Sequence, residues 1–175
     1  MVFLSKYKIK IILIIIIATV TIFISYPSKP KLKLDINRQY LVSNVIDGDT
    51  FEIKSDNKIL KIRMMGVDTP ETVDPRKTVQ CFGKEASDKT KELLLNKNIN
   101  IEIDKSQSVY DKYGRILAYV KREDGLFINR YLVENGYAHE YTYKIPYKYQ
   151  KEFKKLEKDA REGKLGLWGS LCSEK

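Results

Sequence analysis

ILKIRMMGV, residues 59–67, alternates apolar and basic side chains. Leu60, Ile62 and Met64 fall on one side and Lys61 and Arg63 on the other, the period of two that a half-buried strand requires. Two runs upstream are also strand-like: YLVSNVI (40–46) and TFEIKS (50–55), the second joined to ILKIRMMGV by an Asp-Asn-Lys turn. Downstream, Ala86, Thr90, Leu93 and Leu94 fall at helical spacing, which predicts a helix over about 84–96. INIEI (99–103) and RILAYVKR (115–122) return to strand, with the polar loop DKSQSVYDKYG between them. A short helix over 127–135 ends with Gly136 in the C′ position. A last helix, about 147–163, sets Tyr149, Phe153, Leu156 and Ala160 on one stripe and stops at Gly163, before LGLWG.

Three strands, a helix, two strands and then helices do not alternate as βαβ units, which argues against a parallel sheet. The order predicts a mainly β fold with α: a five-stranded antiparallel barrel of the OB type plus about three helices. Such barrels commonly bind oligonucleotides on one face, an analogy of fold and not of site. The expected domain spans 39–170, with a short tail at 171–175.

The N-terminus has a different composition. Lys6, Lys8 and Lys10 precede the apolar run Ile11–Tyr26, and a Lys/Pro-rich spacer covers 27–38. The run falls between a signal h-region and a full span in length, and ISYPS offers no small-residue cleavage site. Residues 1–26 therefore read as an uncleaved membrane anchor, through 11–26, or a cleaved export signal, and lysines on both flanks of the run leave its orientation open. The whole chain carries a formal charge of +9, but residues 1–35 hold six Lys and one Asp. The remainder has 26 basic against 22 acidic residues, a mild balance that permits a polyanionic partner without requiring one.

Cys81 and Cys172 are the two cysteines, too far apart for a CxxC motif. In an exported protein they would pair as a disulfide, and in a reducing compartment they would be thiols. The single histidine, His139, excludes two-histidine phosphodiester chemistry, and no nucleophile elbow supports a Ser-His-Asp triad. Two acidic clusters, VIDGDT (45–50) and VDTPET (67–72), have the composition of turns and also of hard-cation sites. An EF-hand does not fit, since Glu52 stands where its glycine belongs. If the first and third strands bring the clusters together, Asp49, Asp68 and the Thr69 carbonyl converge, with Pro70 holding Thr69 extended.

VIDGDT, IRMMGVDTPET, GKEAS, DKYGR followed by LAYV, and the late YTY occur in one order over about residues 40–168. Together they resemble the thermonuclease (staphylococcal nuclease-like) family. The resemblance implies a calcium-dependent nuclease acting on DNA and RNA, preferably single-stranded, and yielding 3′-phosphate products. Asp49, Asp68 and the Thr69 carbonyl would hold Ca2+, with Asp47 behind them. Glu71 would orient or deprotonate the attacking water, and Arg63 and Arg115 would grip the scissile phosphate. Asp111, Lys112, Tyr113, Tyr141 and Tyr143 would bind substrate, the last two within the altered stretch HEYTYKIPY. No protein partner is implied, and a monomer is expected. The alternative is a catalytically inactive OB-fold module that binds nucleic acid at the cell surface.

Overall fold

The computed structural model describes residues 34–72 and 80–173. The expected anchor or signal, most of the Lys/Pro spacer and the last two tail residues lie outside them. No helix among the described residues is long and apolar enough to cross a membrane.

Strands β1 (Tyr40–Asp47), β2 (Thr50–Ser55) and β3 (Lys58–Met64) form an antiparallel meander. The alternation in β3 is realised: Leu60, Ile62 and Met64 are buried, while Ile59 and Lys61 face outward. The chain leaves the barrel at Met65–Gly66, where Gly66 adopts φ +75°. A Cβ at Gly66 would also stand 2.7 Å from the Tyr147 ring, so the position admits only glycine. A two-residue strand β4 (Val67–Asp68) follows and pairs with the later β7 (His139–Glu140), apart from the barrel. ILKIRMMGV is thus not one continuous strand; the left-handed glycine divides it and swings Asp68 away from the barrel wall.

Helix α1 (Gly83–Leu94) buries Ala86, Thr90, Leu93 and Leu94, and the chain turns left-handed at Asn96, φ 59°. β5 (Asn98–Glu102) then pairs antiparallel with β1 and with β6 (Ile116–Arg122). The barrel closes in the order β1-β2-β3-β6-β5, which bears out the five-stranded design. One joint corrects the antiparallel expectation: β3 and β6 are parallel, with Ile62 opposite Ile116 and Met64 opposite Ala118. The connection through β4, α1 and β5 carries the chain round the barrel, so these strands meet running the same way.

Helix α2 (Ile128–Glu134) holds the fully buried Asn129. Its amide Nδ2 donates to the Met65 carbonyl (2.9 Å) and its Oδ1 accepts the Val120 N–H (2.8 Å). This satisfied side chain fixes the exit turn of β3 against β6. Helix α3 (Gln150–Glu162) starts later than the apolar stripe predicts. Tyr149 is drawn out of it, its ring centroid 4.7 Å from that of Tyr119 and 5.0 Å from that of Phe127. A 3₁₀ turn (Gly166–Trp168) and the four-residue α4 (Ser170–Ser173) complete the described chain. Cys172 in α4 is disulfide-bonded to Cys81, just ahead of α1, with the Cα atoms 5.8 Å apart.

Candidate active site

The turn between β1 and β2 carries one acidic cluster, and α1 holds that turn in place. Thr90 Oγ1 donates to the Gly48 carbonyl at 2.6 Å, and a Cβ on Gly48 would strike the Thr69 side chain at 2.7 Å. The second cluster, on β4 and the segment after it, therefore packs directly onto the first. Asp49 joins them: its Oδ2 accepts the Thr69 N–H (3.0 Å) and the Thr69 hydroxyl (3.2 Å). The sequence-level condition for convergence, adjacency of the two turns, is met.

Arg63 lies between the two acids. One guanidinium nitrogen is 2.9 Å from Asp49 Oδ2 and the other 2.8 Å from Asp68 Oδ1. The first nitrogen also donates to the Val67 carbonyl at 2.6 Å, which locks the fork onto the turn that Gly66 creates. Two carboxylates spanned by one planar fork are close neighbours. Burial pushes the Asp68 carboxyl above its usual range; Arg63 counters that and Asp49 adds to it. Asp47 is raised too, first by burial, with Asp49 and Glu71 contributing like charge. Its Oδ1 accepts the Gly48 N–H (2.8 Å) and the Thr72 hydroxyl (2.6 Å), bonds that offset part of the rise.

Arg115 reaches this group through a residue that sequence reasoning missed. Thr50 Oγ1 donates to Asp49 Oδ1 (2.9 Å) and accepts from Arg115 Nη1 (3.3 Å). The signal was present, as the threonine of DGDT, but its partner is set by the closure of β6 onto β3. Asp111 holds Arg115 from the other side: Oδ2 accepts Nε at 2.6 Å, and Oδ1 accepts the backbone N–H groups of Tyr113 and Arg115, each at 2.9 Å. Burial alone would raise the Asp111 carboxyl, but these bonds prevail and hold it below the ordinary range.

A cavity of about 550 Å³ opens beside Arg63 and Asp68. Asp111, Lys112, Tyr113, Tyr141 and Tyr143 are among the residues that line it. Tyr113 is 71% exposed, with Lys112 and Arg115 over its ring at 4.9 and 5.3 Å. Tyr141 and Tyr143 keep their rings 6.5 Å apart, both exposed. Tyr110 also lines the cavity and was not singled out from sequence, although it adjoins the DKYG motif. Tyr147 also lines the cavity but is buried, its hydroxyl donating to Glu140 at 3.0 Å.

Glu71 is not among the cavity-lining side chains. Its Oε1 accepts the Thr72 N–H at 3.0 Å, and its backbone is held by Gln80. His139 pairs with Asp68 in the β4–β7 register, stacks edge-on against Trp168 and approaches Glu157 at 3.4 Å. Its position is that of a packing residue.

Asp49, Asp68 and the adjoining Thr69 backbone give a set of oxygen donors only, which fits a hard dication such as calcium. Among the described residues no group of three or more His, Cys, Asp or Glu side chains could itself enclose a metal. The donor set fits only with the carbonyl included and water completing the shell.

The sequence profile of the staphylococcal nuclease homologue family matches residues 61–170. The thermonuclease of Staphylococcus hyicus is 44% identical over 131 residues, covering 75% of this chain and 76% of that protein. The thermonuclease of Staphylococcus intermedius is 43% identical, covering 74% and 75%. Endonuclease YncB of Bacillus subtilis is 38% identical, covering 73% of this chain and 60% of its own length. The closed barrel and this extent of similarity lead to one conclusion: the chain belongs to the staphylococcal nuclease homologue family.

Proposed function

We propose that the chain is a calcium-dependent nuclease that cleaves DNA and RNA with little sequence preference. Relatives named thermonuclease and endonuclease support the reaction class. The observation that carries it is the Asp49–Arg63–Asp68 bridge, tied by Thr50 to Arg115 beside an aromatic cavity. Calcium held by Asp49, Asp68 and the Thr69 carbonyl would supply positive charge beside the scissile phosphate. Arg63 and Arg115 bind the phosphate's equatorial oxygens, where charge builds as water attacks. Glu71 orients that water and accepts its proton. The P–O5′ bond breaks, the 5′ oxygen gains a proton from solvent, and a 3′-phosphate remains. Tyr113, Tyr141 and Tyr143 present faces on which unpaired bases stack, which favours single strands. None of these roles needs a histidine.

The test is digestion of single-stranded DNA and RNA by the full-length chain, with calcium or with a chelator. Turnover that stops with the chelator and returns with calcium supports the reading. Turnover indifferent to the chelator defeats the metal assignment, and binding without turnover leaves a nucleic-acid-binding module. We place the domain at the extracellular face, held by residues 11–26 or released from them. Cleavage of added DNA by intact cells supports that placement, and cleavage seen only after lysis refutes it.

A further inference from the structure

Gln80 grips the backbone of Glu71 from both sides. The Glu71 N–H donates to Gln80 Oε1 at 2.8 Å, and the Gln80 N–H donates to the Glu71 carbonyl at 3.0 Å. Gln80 is itself tied to α1, whose Gly83 N–H donates to the Gln80 carbonyl at 3.0 Å. A Cβ on Gly83 would stand 2.7 Å from the Thr72 methyl and 3.2 Å from the Glu71 carbonyl, so the start of α1 lies against the same segment. The next residue after Gln80 is Cys81, bonded to Cys172 in the C-terminal helix. A short path, covalent from α4 as far as Gln80 and hydrogen-bonded from there, therefore reaches the backbone that carries the Glu71 carboxylate.

We infer that Gln80 is a positioning residue for Glu71, and that the Cys81–Cys172 bond anchors Gln80, which makes turnover depend on the disulfide. The inference rests on the proposed role of Glu71. A carboxylate that must meet a water lined up with phosphorus tolerates little displacement, whereas binding of the base and phosphate elsewhere does not depend on it. The effect belongs in kcat and not in KM. Phe82, in the left-handed region at φ 65°, sits between Cys81 and α1, so this junction is shaped by backbone constraint and not by helix propensity.

Three variants and one reagent test it. Gln80→Met keeps the length and shape of the side chain but removes the accepting oxygen; Gln80→Glu keeps that oxygen. Gln80→Met should lower kcat about tenfold with KM within about twofold, and Gln80→Glu should recover most of the loss. Full reduction of the wild type, verified by thiol titration, should lower kcat several-fold at unchanged KM. Reduction should add little to Gln80→Met, because the two changes act along one path. Normal kcat in Gln80→Met, or a change confined to KM, overturns the positioning role. Unchanged kcat after reduction, or losses that multiply in full, overturns the anchoring. Glu71→Gln separates this from the underlying reading: if that variant turns over normally, the role of Glu71 fails and the inference with it. An inactive Glu71→Gln beside a normal Gln80→Met refutes the inference alone.

Discussion

Two groups of acids share this small barrel, and their chemistry is opposite. Asp104 is buried yet accepts four bonds: from the Ser106 N–H (2.9 Å) and hydroxyl (2.7 Å), the Tyr119 hydroxyl (2.9 Å) and the Lys148 N–H (2.8 Å). Burial would raise its carboxyl, but these donors outweigh burial and hold it below its usual range. Glu102 behaves likewise, with Lys148 Nζ at 2.6 Å and the Tyr149 hydroxyl at 3.1 Å. Asp47 and Asp68 are raised instead, because burial and mutual repulsion exceed what their donors and Arg63 return. An acid placed for the fold is satisfied by the fold. Asp47 and Asp68 keep more negative charge than their donors compensate, a condition that favours a cation.

The sharpest way to break this contrast is to remove charge from each group in turn. Arg63→Ala, Arg115→Ala and Glu71→Ala should each lower turnover at least about 10²-fold, as loss of one stabiliser of developing charge does. Arg63→Lys should also be poor, since an ammonium cannot span both carboxylates. Steady-state rates, measured well below each variant's own melting temperature, decide this. Asp104→Ala should do the reverse: lose about 3 kcal/mol in urea unfolding, by leaving several buried donors unpaired, with kcat of the folded protein intact.

Acid titration separates the groups further. Asp104 and Glu102 have folded pKa values below their unfolded ones, so their contribution is complete above about pH 4 to 4.5 and is lost as pH falls through the folded values. The urea midpoint should fall on going from pH 5 to pH 3, and Asp104→Asn should flatten that fall. Asp49→Asn should raise the calcium required for half-maximal turnover about tenfold, by removing one ligand charge, while Asp104→Asn leaves it unchanged. The smallest effect is expected at Asp68. Its ionised form is disfavoured by folding, but solvent screens the half-exposed side chain, so Asp68→Asn should raise the melting temperature only slightly at neutral pH in chelator. A destabilised Asp68→Asn would show that Arg63 already compensates both acids.

Much of this was legible in the sequence, for a physical reason. Strand alternation is local, so Leu60, Ile62 and Met64 announce their face without knowledge of the partner strand. The order of strands and helices carried the five-stranded barrel, and the motif order over residues 40–168 carried the family. What stayed hidden depends on which distant segments meet. The parallel β3–β6 joint, the Thr50 link to Arg115 and the hold of Gln80 on Glu71 all follow from register between remote residues. The split of ILKIRMMGV at Gly66 was missed because apolar residues continue past it, while the glycine's left-handed backbone ends the strand. Tyr149 was assigned to a helix by spacing, and the rings of Tyr119 and Phe127 claimed it.

The parallel joint also bears on how the enzyme comes into being. The β1–β2–β3 meander needs only hairpin contacts, so Asp49 and Arg63 can meet early, while β6 is still unplaced. Docking β6 on β3 must close a loop that contains α1 and β5, a non-local step that slows folding and leaves β3 as an open edge until it is complete. Arg115 enters only with that step, because Thr50 receives it from the start of β6. In refolding, secondary structure should therefore return ahead of cleavage, and the first hydrolysed phosphodiester reports the moment the barrel shuts.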